Sequence, residues 1–483
     1  MHIHKSASVV TGFCIAVCMS LVSCKKMVTV PLPINSVTSE EIFRTDAMAM
    51  AAMANVFSQM VNGPITFNNG YTTILTGMSA DELFYYGAGD ADIVSFAGNQ
   101  LLYKNTYTGN LWTAAYKTIY NANSVIEGVA ASNSSSLTDS VRVRLTAEAK
   151  FVRAYCYFYL VNLFGDVPLA MTVDFNKIRY MRRTPVNEVY DQIITDLKDA
   201  QASLTDNYAI NSATSERIFP TKWAAMAMLA RVYLFKGDYA GAAEQASAVI
   251  SNTAFGLESE PGNVFLAKSK EAIWQLKQGT SDPFIKNCTT EGYTIIPTQP
   301  TTGIARYCIT ASLLNTFDVG DKRRTAWVTT TTGNTAGSNY YPYKYKMGSS
   351  NGVSGAAPTE YYMMLRLAEV YLIRAEALAN GAAGGIGAAI TDLNMIRNRA
   401  GIAALPATLT QAQVIAAVAR ERQVELFAEW GHRWFDLKRT NKAHDVLSVM
   451  ASKQPWAGDH QLLYPIPPNE IQVDPALEQN TGY

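Results

Sequence analysis

Helical periodicity is the feature that most constrains the fold of this chain. Apolar residues recur at three- and four-residue spacing from Ile42 to Phe57, after a predicted helix start at Ser39. The same spacing predicts further helices at about 110–131, 142–164, 186–204, 221–235, 239–251, 359–380, 386–399 and 409–429. Two stretches, about 62–107 and 263–347, are rich in Gly, Thr, Asn and Tyr and are predicted to be strand-like or irregular. The chain is therefore predicted to be mostly α, a helical scaffold with two irregular excursions.

One pair of predicted helices has the spacing of a closely packed hairpin. Small and apolar residues flank a central Gly237 on both sides: Leu229, Ala230, Tyr233, Tyr239, Ala242 and Ala246. Small side chains let two helices approach closely, and glycine permits the tight turn between them. The spacing resembles a tetratricopeptide unit, and looser versions of it occur at 149–160 and at 368–381. An ordinary helical hairpin is the alternative interpretation.

Length and charge restrict the domain organisation and the class of partner. The 483 residues are 48% hydrophobic and contain no Pro/Gly/Ser-rich linker, so 24–483 is predicted to be a single domain. Forty basic and 40 acidic residues give a net charge of zero. Nucleic acid is not expected as a partner, because its recognition depends on an excess of Lys and Arg.

Residues 1–23 have the layout of a lipoprotein signal peptide. A weakly basic start precedes an apolar stretch from Val9 to Val22 that is too short to span a bilayer. The sequence from Leu21 to Cys24 resembles a bacterial lipobox, which predicts lipidation at Cys24 and attachment to a membrane through that lipid anchor. An ordinary signal peptide followed by a chance cysteine is the alternative.

Three cysteines lie beyond the predicted lipidation site. Cys156 falls in an apolar helical run and is predicted to be a buried thiol. Cys288 and Cys308 flank a loop, and they could either pair in an oxidising exterior or remain free.

The C-terminal region, about 359–483, carries a dense block of motifs. Its segments are Arg366–Ala377, Leu393–Gly401, Glu421–Arg439, Tyr464–Ile471 and Asn480–Tyr483. They resemble the signature segments of the SusD/RagB family of nutrient-binding outer-membrane lipoproteins. Upstream matches follow in the same order, at Trp112, Tyr116, Asn121, Asn123, Ala147–Ala154 and Leu163–Leu169. The resemblance thus covers nearly the whole chain.

The resemblance implies both a fold and a role. The fold is a tetratricopeptide-like helical scaffold with an irregular ligand-binding subdomain inserted. The role is that of an outer-membrane surface lipoprotein, facing the cell exterior, that captures a glycan and delivers it to a SusC-like TonB-dependent transporter. A peptide-binding uptake subunit of the RagB type is the alternative. No cofactor is expected.

The same block can be interpreted without the family. Opposite charges at three- and four-residue spacing, interleaved with aromatic residues, predict a framework of ion pairs over a packed core. A glycoside hydrolase using Glu425 with Glu429, or Glu421 with Asp436, is less favoured, because neighbouring arginines would keep these carboxylates ionised. The histidines beyond the signal peptide show no metal-ligand spacing, so no metal site is expected. The sequence contains no HExxH, CxxC, P-loop or nucleophile-elbow motif, so no enzyme is expected either.

Candidate ligand-binding residues are sought in the two excursions. A sugar needs flat aromatic faces, with amides and carboxylates nearby to bond its hydroxyls. The first excursion offers Asp81, Phe84, Tyr85, Tyr86, Asp90 and Asn99, and the second offers Tyr293, Tyr307, Trp327 and Tyr340. Tyr85 and Tyr86 are favoured, because adjacent aromatics before Gly87 suggest an exposed turn. Core packing is the alternative for each aromatic residue, and for Trp327 in particular.

Overall fold

The computed structural model describes residues 39–87, 89–208 and 216–483. The predicted signal peptide and the predicted lipidation at Cys24 lie outside these residues. In the N-terminal half the helices are α1 (Ser39–Ile42), α2 (Asp46–Val61), α3 (Tyr71–Ser79), α4 (Ala91–Gly98), α5 (Thr106–Ala131), α6 (Asp139–Phe164), α7 (Phe175–Ile178), α8 (Val186–Ser203), α9 (Lys222–Lys236) and α10 (Tyr239–Ile250). In the C-terminal half they are α11 (Thr290–Ile295), α12 (Ala311–Leu314), α13 (Lys322–Trp327), α14 (Leu367–Ala379), α15 (Gly385–Ala400), α16 (Gln411–Glu425), α17 (His432–Arg439), α18 (Ala443–Leu447) and α19 (Pro468–Val473). None of the described helices is long and apolar enough to cross a membrane.

The described strands are short, and two of their three pairs join segments that are far apart in the sequence. The strands are β1 (Leu83–Tyr85), β2 (Ala272–Leu276), β3 (Tyr307–Ile309), β4 (Val328–Thr330), β5 (Tyr340–Pro342) and β6 (Tyr362–Arg366). In the described residues they form antiparallel pairs β1–β3, β2–β6 and β4–β5. The pair β1–β3 joins the two excursions, which are therefore neighbours in the folded chain.

The predicted long helices are confirmed, with differences at their ends. The helix predicted at about 359–380 begins only at Leu367, because Tyr362–Arg366 pairs with β2 as a strand. The first helix is interrupted before Asp46, where the Thr45 side chain accepts a hydrogen bond from the backbone N–H of Met48 and caps α2.

The prediction for 62–107 is partly wrong, because this excursion contains α3 and α4. From Thr72 to Ser79 every residue of α3 is buried, so the helix has no polar face and no amphipathic stripe. Its threonines favour a strand by composition, yet the Thr76 hydroxyl donates a hydrogen bond to the Thr72 carbonyl at 2.5 Å inside the helix. Because the helix is buried on all sides, its sequence shows no helical periodicity, and the helix was not predicted.

The tetratricopeptide-like pairing is confirmed at α9 and α10. Gly237 ends α9 with φ +74°, a left-handed conformation that favours glycine, and α10 begins two residues later. Ala242 and Ala246 of α10 are fully buried, as close helix packing requires. The hairpin continues as a stack, because α10 also packs against α14 and α14 against α15.

Buried arginine–carboxylate pairs link the stacked helices. Arg231 of α9 donates two hydrogen bonds of 2.6 Å to Glu369 of α14, and both side chains are enclosed. Arg153 of α6 makes the same two-point contact with Asp196 of α8 at 2.8 Å. Each pair fixes the register of two helices, because the planar guanidinium matches the two carboxylate oxygens in one orientation.

The three cysteines of the described chain are free and buried. Cys156 is enclosed within α6, as predicted. The suggested pairing of Cys288 with Cys308 is wrong in this structure: the Cys288 thiol donates to the Gly348 carbonyl, and the Cys308 thiol donates to the Ala305 carbonyl. Burial raises the pKa of both thiols, to about 11 and about 12 respectively.

Candidate functional site

Four tyrosines from separate parts of the chain form one cluster. We call Tyr71, Tyr85, Tyr107 and Tyr307 the tyrosine cluster. The Tyr71 and Tyr107 rings meet edge-to-face with centroids 5.1 Å apart, and the Tyr85 and Tyr307 rings do so at 5.6 Å. The two ring pairs are neighbours: burial raises the pKa of Tyr307, and the nearby Tyr71 and Tyr85 hydroxyls add to that rise. Tyr307 is almost enclosed, whereas the other three are half-buried and present part of their rings to solvent.

Backbone pairing places the two excursions' tyrosines side by side. Tyr85 ends β1 and Tyr307 begins β3, and the antiparallel register sets them directly opposite each other. Opposed residues of an antiparallel pair project from the same face, so their rings must meet. Phe84 projects from the other face, since side chains alternate along a strand. Tyr71 is the first residue of α3, and Tyr107 lies in the first turn of α5.

Asp90 anchors one side of the cluster. Its Oδ1 accepts the backbone N–H of Ile93 at 3.1 Å and caps α4, while its Oδ2 accepts the Tyr107 hydroxyl at 2.5 Å. Burial raises the pKa of Tyr107 above its ordinary value, and the hydrogen bond to Asp90 adds to that rise. Burial also raises the pKa of Tyr71 and of Tyr307. These phenols therefore stay protonated at neutral pH and can donate hydrogen bonds.

Arg306 and Tyr86 border the opposite side. The Tyr86 backbone N–H donates to the Arg306 carbonyl at 2.7 Å, and Nη1 of Arg306 donates to the Tyr86 carbonyl at 3.3 Å. The Tyr86 hydroxyl accepts the backbone N–H of Thr335 at 3.2 Å. Arg306 itself is exposed. The rim of the cluster thus offers a carboxylate, a guanidinium and several phenols within a small area.

The remaining predicted site residues lie apart from this surface. Asp81 is 2% exposed and accepts two hydrogen bonds from Arg433, at 2.7 and 2.9 Å. Asn99 is equally enclosed and ends α4 in a left-handed conformation, with its side-chain amide bonded to the Ser79 carbonyl. Trp327 is 0% exposed and donates to the Pro261 carbonyl at 2.8 Å. A ligand cannot reach these three side chains in this structure, so they are structural here.

The other aromatic candidates of the second excursion are half-buried. Tyr293 lies in α11, and no ring contact joins it to the tyrosine cluster. Tyr340 lies in β5, where the Arg324 guanidinium covers its ring at 4.6 Å from the centroid. We therefore retain Tyr85, Asp90 and Tyr307 as the candidates whose side chains the fold brings together, and Tyr86 as their neighbour along the chain.

Sequence reasoning missed Tyr71, Tyr107 and Arg306. Tyr71 and Tyr107 open helices inside a stretch that was predicted to be irregular, and a lone tyrosine there carries no signal of its own. Arg306 immediately precedes Tyr307. Its position next to a candidate aromatic residue in a loop was the one available signal.

The carboxylates considered for glycosidase chemistry lie in a closed ion network. Glu425 is 0% exposed and accepts hydrogen bonds from Arg323, Arg366 and Arg399 at 2.9, 2.6 and 2.5 Å. These arginines hold the pKa of the Glu425 carboxyl well below its usual range. An ionised, enclosed carboxylate has no proton to give to a leaving group. The predicted framework of ion pairs over a packed core is confirmed.

Two family profiles match the chain. Residues 37–234 match the profile described as starch-binding associating with outer membrane, and residues 325–483 match that of the SusD family. SusD-like protein P2 of Formosa agariphila is 28% identical over 97% of this chain and 98% of its own length. Starch-binding protein SusD of Bacteroides thetaiotaomicron is 25% identical over 72% of this chain and 74% of its own.

Solved structures share the fold. Surface glycan-binding protein A from Bacteroides fluxus superposes with a TM-score of 0.77 at 23% identity, covering 91% of this chain and 100% of that one. A laminarin-binding SusD-like protein superposes with a TM-score of 0.74 at 24% identity, covering 91% and 99%. At these identities the likeness shows a shared architecture. The two profiles, which match residues 37–234 and 325–483, show that this chain belongs to the SusD family.

Proposed function

We propose that this protein is a surface lipoprotein that captures a glycan on the tyrosine cluster and delivers it to a SusC-like TonB-dependent outer-membrane transporter. The observation that carries the proposal is the grouping of half-exposed phenol rings between Asp90 and Arg306. Aromatic faces pack against the apolar faces of sugar rings, and the surrounding polar groups bond the hydroxyls.

The chemistry of the cluster suits retention of a ligand without cleavage. Glycosidases need two carboxyl groups flanking the bond, one of them able to donate a proton. Asp90 is the carboxylate at the cluster, and both of its oxygens already accept hydrogen bonds from Ile93 and Tyr107. We therefore propose a binding protein and not an enzyme.

The names of the relatives support a carbohydrate ligand. One curated relative is a starch-binding protein, and two proteins of the same fold are named for laminarin binding and surface glycan binding. The matched profile describes association with the outer membrane. We propose that lipidation at Cys24 provides this association and that the protein faces the cell exterior. A peptide is the alternative ligand, and the following experiment distinguishes it from a glycan.

The test is affinity electrophoresis of the mature chain, from residue 25 onward, through gels containing single polysaccharides of plant, fungal and host origin. Retardation by at least one polymer, without its hydrolysis, is the expected result. The Tyr85→Ala variant should lose that retardation, whereas Tyr120→Ala should keep it, because Tyr120 is an exposed tyrosine on α5 outside the cluster. Absence of retardation by every polymer, together with capture of peptides, would replace the glycan with a peptide ligand.

A further inference from the structure

Arg306 holds an exposed positive charge at the edge of the tyrosine cluster. A Cβ placed on Gly87 would lie 2.6 Å from Nη1 of Arg306 and 3.7 Å from Cε1 of Tyr85, so the guanidinium lies beside the Tyr85 ring. In the parts of the chain that the structure describes, Arg306 forms no ion pair, and its side-chain hydrogen bond goes to the neutral Tyr86 carbonyl. Arginine has five N–H donors, so most of them point to no protein acceptor here.

Some of the other surface arginines form ion pairs, whereas Arg182, like Arg306, forms none among the described residues. Arg420 is half exposed and contacts Asp318 at 2.6 Å, and Arg44 contacts Glu41 at 3.1 Å. Arg397 reaches Asp318 and Glu421. Arg306 is left with unused donors next to the candidate ligand surface.

The backbone around Arg306 accommodates its guanidinium. Gly87 has φ +127°, and a Cβ at this position would lie 2.6 Å from Nη1 of Arg306. The Tyr86 backbone N–H donates to the Arg306 carbonyl, which extends the β1–β3 pairing by one residue, and Nη1 of the Arg306 side chain donates to the Tyr86 carbonyl. Arg306 is thus held at the end of a strand pair, directly beside Tyr307, and is not a free side chain on a loop.

The two charges on the rim differ in their availability. Protein donors already occupy both oxygens of Asp90. The Arg306 guanidinium keeps a planar set of donors that matches the two oxygens of a carboxylate or a sulfate. A sugar lying across the rings would meet a carboxylate that already accepts two hydrogen bonds on one side and a cation with unused donors on the other.

We propose that Arg306 is a specificity-determining residue that binds an acidic group, a carboxylate or a sulfate ester, on the glycan held by the tyrosine cluster. The inference rests on the proposed function and names its substrate class as acidic polysaccharides. Uronic acids and sulfated sugars share the chemistry that the guanidinium recognises, and the experiment separates them.

The experiment compares matched acidic and neutral polymers by affinity electrophoresis of the mature chain. The pairs are polygalacturonate with its methyl ester, and a sulfated galactan with its desulfated form. We expect at least one acidic polymer to bind about tenfold more tightly than its neutral partner, because the guanidinium can donate two charge-assisted hydrogen bonds to the acidic group. Arg306→Gln should abolish that difference, because glutamine carries no charge, so that the affinities for the acidic polymer and for its neutral partner become equal. Arg182→Gln, which alters another exposed arginine, should change neither.

The possible results separate the two proposals. Binding of neutral polymers alone, dependent on Tyr85, would overturn the acidic preference and leave glycan capture intact. An acidic preference that survives Arg306→Gln would overturn the role of Arg306. If no polymer of any kind binds, glycan capture itself fails, and the acidic preference fails with it.

Discussion

The ring of Tyr85 meets the ring of Tyr307 edge-to-face, with centroids 5.6 Å apart, because β1 and β3 pair with these two residues directly opposite. One residue comes from each of the two excursions. Their contact makes a single surface from two segments that lie more than half of the described chain apart. The following predictions test that surface and the scaffold beneath it.

Gly87→Ala should disturb the position of Arg306. The added Cβ would lie 2.6 Å from Nη1, and φ +127° is strained for any residue with a side chain. We expect weaker binding of acidic polymers, together with a small loss of thermal stability. Gly89→Ala is the matched control, because a Cβ there meets no atom within 4 Å. Equal affinity of the two variants in affinity electrophoresis would contradict this arrangement.

Tyr107→Phe should loosen the side of the cluster that Asp90 anchors. The change removes a hydrogen bond of 2.5 Å to a carboxylate, and such bonds contribute about 1.5 to 3 kcal/mol. Because the pair is partly exposed, we expect the variant to lose about 1 kcal/mol of its free energy of unfolding. Thermal unfolding gives the measurement. Tyr103→Phe, on a side chain that is 52% exposed, should leave the melting temperature unchanged.

Removing one partner of the Arg231–Glu369 pair should destabilise the scaffold strongly. Both side chains are enclosed, so Arg231→Met leaves Glu369 buried without its cation, at a cost of about 3 to 5 kcal/mol. The double change Arg231→Met with Glu369→Leu should recover most of that loss. Urea unfolding measures both. Lys442→Met, which breaks an exposed pair with Asp445, should cost less than about 1 kcal/mol.

Glu82→Gln should change how stability depends on pH. Burial, with a smaller contribution from Asp81, raises the pKa of Glu82 from 4.5 to about 8. The wild-type protein therefore gains stability from the bound proton below pH 4.5 and loses it as pH rises to about 8. Glutamine cannot ionise, so the variant should gain on the wild type by about 1 kcal/mol per pH unit across that window. Urea unfolding at pH 5 and pH 8 measures the difference, and a constant gap would contradict it.

The sequence predicted the scaffold better than the site. Amphipathic helices such as α8 are predicted by the three- and four-residue spacing of their apolar residues. The hairpin around Gly237 is predicted by its small residues. The helix α3 was not predicted, because nearly all of its residues are buried and it has no polar face to give the sequence a helical period. Cys288 and Cys308 looked like a possible pair in the linear order, yet each thiol bonds a different carbonyl.

The site depended on long-range pairing that no local pattern encodes. Tyr85, Tyr86, Asp90 and Tyr307 were predicted from composition, and the fold brings the side chains of Tyr85, Asp90 and Tyr307 together. Tyr71 and Tyr107 join them only because α3 and α5 begin beside the same strands. Trp327 was a candidate by residue type, but its ring packs in the core against Phe265 and Phe427.

The most direct test of glycan capture is the affinity of the Tyr85→Ala variant for whichever polysaccharide the wild-type protein retains. Tyr85 is half-buried, so removing its ring should spare the fold while taking away an aromatic face. The account predicts a fall in affinity of about tenfold or more, with Tyr120→Ala unchanged. A folded Tyr85→Ala protein that binds as tightly as the wild type would contradict it and place the glycan elsewhere on the molecule.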